Sequence, residues 1–448
     1  MTGLALWCAT IAAAPGPAHV RELIEADRAR EAVEEARTLA VSAPEDLDVA
    51  ACLGEALYRA GRIEEAGTAL EPVSSRPEAP ARAIAQLGLV RAAQGRNAEA
   101  ATLLDRALAA APEDRWVIYR AAGAAETRAE GRRRLTAYLA RSEGDDPDRI
   151  EGAKGTIRFY DAIGEKRIWA VAQHPERVEL PLVPLTGTNG RGWVLEARLK
   201  GNKKLRLLLD TGSTGLFVVE RAVKKAGLSP LPEETVFAGG STGRARSGRG
   251  LLERLAIGDL VFEDALVTTT RDEFDPQGRI HGVLGIAALA GYLVTLDLDR
   301  GKLILEAAPT EASGEPYWNV GGQMLVRAGA EGASEDGLFL FDTGATRSMI
   351  ATAYAATIGG ASESSPAAVR TYGGNVAGAA ALRNVSLRFG GVPLGTETVN
   401  RSDLTQRSRL GGVEIAGFLG LDALDGTVIR IDTTRQRVLV TPRARRAG

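Results

Sequence analysis

Two tripeptides hold the residues of this chain best suited to chemistry. Asp210-Thr211-Gly212 follows the apolar run "LLL" at 207–209, and Asp342-Thr343-Gly344 follows "LFLF" at 338–341; D-T-G occurs nowhere else. A charge at the end of a buried strand is costly unless it is paired or used. One D-T-G alone reads equally well as a strand closing in an Asx-type turn, with Gly in the tight backbone. Two of them point further. Carboxyls that meet across a pseudo-twofold axis cannot both ionise cheaply, so the pair shares one proton near neutral pH. The charged member can then act as base on a water, while the protonated member donates to a carbonyl.

The flanking residues suit such a pair. Thr211 and Thr343 offer hydroxyls that can reach across the axis, and Gly212 and Gly344 let backbone N–H groups approach the carboxylates. Ser213 follows one motif and Ala345 the other. A serine hydroxyl donating to Asp210 would favour its charged form, which predicts a charged Asp210 and a protonated Asp342.

The elements that must position these loops are duplicated as well. After Asp210 come "FAGGSTG", "HGVLGIAAL" and "YLVTLDLDRGKLIL"; after Asp342 come "TYGGNVAG", "AGFLGLDAL" and "GTVIRIDTTRQRVLV". The interval from each Asp is 29 to Gly239 and 31 to Gly373, 75 to Gly285 and 78 to Gly420, and 87 to Asp297 and 90 to Asp432. Order and spacing are kept in both halves. From residue 178 onward the sequence is short β-type runs with Gly and Pro punctuation. Gly285 in "GVLG" and Gly420 in "GFLG" would let another strand pass close beside each D-T-G loop.

This half resembles the aspartic proteases, most closely the retroviral-type (retropepsin-like) branch with two copies fused in one chain. The resemblance covers residues 176 to 442. It implies an all-β bilobal fold with Asp210 and Asp342 as catalytic aspartates, supported by Thr211, Gly212, Ser213, Thr343, Gly344 and Ala345. The Gly-rich stretches at Gly239-Gly240 and Gly373-Gly374 match the flap hairpins that close over a peptide. It implies an aspartic endopeptidase acting on peptide or protein substrates without cofactor or metal. Short lobes, the lack of Cys pairs and a first flap without Tyr depart from the pepsin-like branch; Tyr372 lies in the second. The competing readings are a peptide-binding scaffold that has lost activity, and lobes that form their dyads only by dimerisation. Arg244, Arg246 and Arg249 in or beside the first flap read either as selectors of acidic substrates or as a solvated hairpin. Arg347 reads either as a perturber of the dyad or as a surface charge.

The first 140 residues are Ala-rich and helical in pattern. "LGEALYRAGRIEEAGTAL" from Leu53 and "LGLVRAAQGRNAEAATLL" from Leu87 are offset by 34, and the same shift relates Gly61 to Gly95 and Ala32 to Ala66 to Ala100. This period resembles tetratricopeptide repeats over residues 20–125. Such hairpins bury their apolar faces by stacking, and they present a surface for a peptide or partner protein; no aromatic or charged ladder is evident from the sequence. The alternative is a spacer or cap. "SEGDDPDR" at 142–149 reads as a boundary. The expected domains are a signal or disordered segment at 1–18, helical repeats at 19–141, a helical linker at 142–175, and protease-like lobes at 176–311 and 312–442. The repeats are expected to be separable, so that a chain starting near Gln173 still cleaves short peptides.

Composition narrows the remaining classes. At 448 residues the chain is long enough for two to three domains, and a net charge of −2 gives no sign of a nucleic acid partner. The skew to 47 Arg over eight Lys fits a biased genome composition better than phosphate recognition. Cys8 and Cys52 are the only cysteines, and His19, His174 and His281 are scattered. Neither a metal cluster nor a His-dependent triad is expected. No run approaches the roughly 18 apolar residues of a membrane span. "GLALWCATIAAAPGPA" at 3–18 has the apolar core and small-residue end of a signal peptide but no preceding basic residue; the expectation leans to export.

Overall fold

The computed structural model describes residues 16–442, apart from 187–190, 240–242, 272–274, 276, 308–312, 360, 361, 368, 372, 373, 377, 396 and 397. Nearly all of the segment expected as a leader lies outside the described residues. Helices fill the first part: α1 (Pro17–Glu25), α2 (Ala29–Ser42), α3 (Leu47–Arg59), α4 (Ile63–Ser74), α5 (Ala81–Ala93), α6 (Asn97–Ala110), α7 (Arg115–Ala122), α8 (Arg128–Leu139) and α9 (Pro147–Ile163). None is long and apolar enough to cross a membrane.

The 34-residue period has a physical basis. Asp46 and Asp114, 68 apart, cap α3 and α7 by accepting backbone N–H bonds from Asp48 and Trp116, each at 2.9 Å. Gly54 on α3 faces Leu70 on α4, and Gly88 on α5 faces Leu104 on α6. A Cβ on these glycines would lie 2.3 and 2.9 Å from the leucine Cγ, so the small residue lets each hairpin close. Gly61 and Gly95 turn the chain between hairpin helices at φ of 74° and 75°, where a side chain is strained.

The remainder is mostly β and divides into two lobes of matching topology. In the first, the order is Leu260–Thr270, Leu216–Val219, Gly282–Gly285, Lys204–Asp210, Gly192–Leu199. In the second it is Val399–Ser402, Met349–Ala351, Gly417–Leu419, Gly337–Phe341, Gln323–Ala330. Both run parallel, antiparallel, parallel, antiparallel. The duplication in sequence is therefore a duplication of hydrogen-bonding pattern.

Six antiparallel strands join the lobes, in the order Arg177–Pro181, Lys302–Ala307, Tyr292–Asp297, Thr427–Asp432, Arg437–Pro442, Glu315–Val320. At the centre Leu293 pairs with Asp432, Thr295 with Arg430 and Asp297 with Val428. The pseudo-twofold axis passes through the Thr295–Arg430 pair. Asp297 and Asp432, the outermost sequence landmarks, are buried turn anchors. Asp297 accepts the Arg300 N–H at 2.9 Å, and Asp432 accepts those of Thr434 and Arg435 at 3.0 and 2.9 Å.

One buried apolar cluster extends from Val20 and Leu57 in the helices to Leu338 and Val440 in the β region. The repeat turns seat directly on the second lobe: a Cβ on Gly61 would lie 3.0 Å from the Glu414 carbonyl, and one on Gly95 2.0 Å from Gln436 Oε1. Gln436 Nε2 donates to the Ala93 carbonyl at 3.2 Å, Arg30 pairs with Glu414 at 2.9 Å, and Asp27 is shared by Arg59 and Arg409.

Candidate active site

Each D-T-G loop leaves its strand at the same register. Asp210 stands opposite Gly285 on the parallel neighbour, and the Asp342 N–H donates to the Leu419 carbonyl at 3.0 Å. A Cβ on Gly285 would meet the Ser213 carbonyl oxygen at 2.3 Å, and one on Gly420 the Arg347 carbonyl carbon at 2.6 Å. These glycines therefore let the loops fold back over the neighbouring strand, as expected from "GVLG" and "GFLG".

The threonines lock the two loops together. The Thr211 N–H donates to Thr343 Oγ1 at 3.1 Å and the Thr343 N–H to Thr211 Oγ1 at 3.0 Å. Each hydroxyl then donates across the axis, Thr211 to the Phe341 carbonyl at 2.6 Å and Thr343 to the Leu209 carbonyl at 3.1 Å. Both threonines are buried. A valine would match their shape but leave buried backbone N–H groups unmet.

Across this brace Asp210 and Asp342 face each other and share a hydrogen bond between their side chains. The Gly212 N–H donates to Asp210 Oδ1 at 2.8 Å; those of Gly344 and Ala345 donate to Asp342 Oδ1 at 3.0 and 2.9 Å. The motif glycines have a second reason to lack side chains. A Cβ on Gly212 would sit 2.7 Å from Asp342 Cγ, and one on Gly344 2.4 Å from Asp210 Cγ, each in the space of the other lobe's carboxyl.

Electrostatics separate the two acids. Burial, the charge of Asp342 and the hydrogen bond to it push Asp210 well above the usual carboxylate range. Burial also raises Asp342, but the hydrogen bond from Asp210, the Ala345 and Gly344 N–H groups and the charge of Arg407 oppose the rise. Both carboxyls are thus raised as a pair, and the charge on Asp210 expected from Ser213 lacks its basis. Among the described residues no hydrogen bond joins the Ser213 hydroxyl to Asp210, so the anticipated donor is not engaged. The charge from outside the pair that favours an anion is that of Arg407 on Asp342; it comes from the helix Thr405–Gly411 between the Val399–Ser402 and Gly417–Leu419 strands. Arg407 is 8% exposed and has no hydrogen-bond or ion-pair partner among the described residues. Its role was not visible in the sequence, where 65 residues separate it from Asp342 and no motif marks it.

Other expectations resolve differently. Arg347 is exposed, and its charge falls on Asp422 rather than on the dyad. Asp422 accepts from the Ser348 N–H and hydroxyl, both at 2.7 Å, while Ser348 Oγ accepts the Gly420 N–H at 3.0 Å; this network stiffens the second loop. Gly239 pairs with Gly243 at the tip of a long hairpin, Ser229–Gly239 and Gly243–Ile257, and Gly374 pairs with Thr371 in a short one. Gly240, Gly373 and Tyr372 lie outside the described residues. Arg249 is half-buried, and its guanidinium carbon lies 4.6 Å from the ring centre of Phe159 on α9. Among the described residues no group of three or more His, Cys, Asp and Glu is placed to hold a metal.

Compared with known proteins, residues 195–288 and 328–423 match the model of the aspartyl protease family. Each matched segment contains one D-T-G and one apolar-apolar-Gly strand. The chain thus carries an aspartyl protease-like domain behind a helical region. No curated protein matches it significantly.

Proposed function

We propose that the chain is an aspartic endopeptidase whose single cleft is built by Asp210 and Asp342 of one molecule. The observation that supports this most is the reciprocal brace of Thr211 and Thr343, which holds two hydrogen-bonded carboxyls face to face. In the resting state Asp342 is the anion and Asp210 holds the shared proton. A water between them attacks the peptide carbonyl carbon as Asp342 takes its proton, and Asp210 donates to the carbonyl oxygen. The tetrahedral intermediate then collapses. Its C–N bond breaks as the amine nitrogen receives the proton held by Asp342, and a hydroxyl returns its proton to Asp210. No cofactor enters this sequence. The Ser229–Ile257 hairpin serves as the first flap, and the tetratricopeptide-like helices recruit a protein substrate or partner.

Incubation of the full chain with a diverse peptide library, read by mass spectrometry, tests the activity. Wild type is expected to cleave, and Asp210→Asn is expected to lose cleavage by more than the roughly 10² to 10⁴ of ordinary acid–base removal, because the pair acts as a unit. A wild-type chain that binds library peptides without cutting any would favour the scaffold reading.

A further inference from the structure

The helical region carries a second concentration of charge, far in sequence from the dyad. The helices α3, α5 and α7 stand side by side, so positions 34 apart recur on one face. Cys52, Gln86 and Arg120 form one such row; Asp48, Arg82 and Trp116 form another. Across them runs a ladder of guanidinium groups and rings. The Arg82 and Arg120 guanidinium carbons lie 5.7 and 5.4 Å from the Trp116 ring centre. Arg120 also lies 5.8 Å from Tyr119, and Arg149 of α9 lies 5.6 Å from that same ring. The ladder is assembled by tertiary structure, which is why the sequence did not display it.

Most of the charges on this face are paired, Arg21 with Asp48 at 4.0 Å among them. Arg82 is paired with Asp114 at 2.9 Å, Arg149 with Asp145 at 2.6 Å and Arg59 with Asp27 at 3.3 Å. Arg120 has neither an ion pair nor a hydrogen bond among the described residues, and its Nε is buried without a partner. Gln86, 3% exposed, leaves Nε2 unpartnered, and so does Arg21 at Nε. Glu55 forms no ion pair among the described residues, though its charge and that of Arg120 act on each other; burial pushes its carboxyl upward against the pull of Arg82, Arg21, Arg120 and Arg59. A half-buried guanidinium without an ion pair has hydrogen-bonding capacity to spare, and buried donors left unmet are destabilising. An incoming anion satisfies both.

We propose that this face binds an acidic polypeptide segment, with one carboxylate held by Gln86 and Arg120 and neighbouring side chains lying on Trp116 and Tyr119. The proposal rests on the reading of the helices as a recruitment surface and is independent of whether the dyad cuts. Because Arg82 and Arg149 keep their own carboxylates, Arg120 is the arginine of the ladder left without an ion pair. That suits a carboxylate between apolar neighbours better than the continuous charge of a nucleic acid.

Fluorescence anisotropy with the full-length Asp210→Asn protein tests this without cleavage of the probe. The probe is a labelled 12-residue peptide alternating Glu with Leu, compared with its Gln-for-Glu counterpart and a 12-nucleotide single-stranded RNA. The Glu peptide is expected to bind at least tenfold more tightly than either. Arg120→Gln should lower its affinity at least tenfold, while Arg37→Gln on α2 leaves it unchanged. Without peptide, Arg120→Gln should melt no lower than its parent, because no ion pair or hydrogen bond is lost with it; a purely structural arginine would instead lower the melting temperature. Equal binding of the Gln peptide or the RNA, or unchanged affinity in a folded Arg120→Gln, would overturn the proposal.

Discussion

At the scale of single residues, two equivalent aspartates become inequivalent through what surrounds them. Asp210 draws on the N–H groups of Gly212 and Ser213 as Asp342 does on those of Gly344 and Ala345, so the difference must come from groups outside these loops, and Arg407 is the charge that acts on Asp342. Its positive charge stabilises the Asp342 anion, so its loss raises the pH at which that anion forms. Arg407→Met should therefore move the acid limb of the kcat/KM profile to higher pH, whereas Ser213→Ala leaves it in place. The limb reports the coupled pair rather than either acid alone. A profile that moves with Ser213→Ala and not with Arg407→Met would restore the opposite assignment. The threonine brace yields a stability prediction. Thr211→Val removes the acceptor of the buried Thr343 N–H and should cost about 1–3 kcal/mol in chemical denaturation. Thr211→Ser, which keeps the hydroxyl, should cost much less.

At the scale of elements, what was legible in the sequence was whatever is local or strictly repeated. The D-T-G loops, the "GVLG" and "GFLG" strands and the 34-residue offset of Gly61 and Gly95 are carried by short segments, and each emerges as a discrete turn or strand. The roles of Arg407, Arg249 and Gln436 depend on residues 65 to 343 positions away, which periodicity does not reveal. Ser213 failed for a related reason: residue type shows that a donor exists, not where its hydroxyl points. Gly95 combines both kinds of information. Its positive φ reflects a helix turn, and its missing side chain makes room for Gln436. Gly95→Ala should cost at least the roughly 1 kcal/mol of a left-handed backbone, with more from displacing Gln436. Gly144→Ala, also at positive φ but with open space around its Cβ position, should show the backbone cost alone. Thermal melts of the two variants separate these contributions.

At the scale of the whole molecule, the helical region and the β lobes share one apolar cluster and several buried polar contacts. The helices seat on the second lobe through the turns at Gly61 and Gly95. On the first lobe, α9 meets the long hairpin through Phe159 and Arg249, and Lys166 pairs with Asp264 at 2.8 Å. A chain beginning at Gln173 would expose Leu338, Ala416 and the Gln436 site to water. It should lose stability and cleave short peptides and proteins alike poorly, contrary to the separable domains suggested by the break at 142–149. Retention of full short-peptide turnover by that truncated chain would show that the shared core is dispensable.

The central claim is that one molecule supplies both acids, and a mixing experiment measures it most directly. Peptide cleavage is followed for wild type, for Asp210→Asn, for Asp342→Asn and for an equimolar mixture of the two variants after co-incubation. The one-chain dyad predicts turnover for wild type alone, with each variant and the mixture inactive, because no molecule in the mixture holds both carboxyls. Activity reappearing in the mixture, or near-normal turnover by either variant, would contradict it.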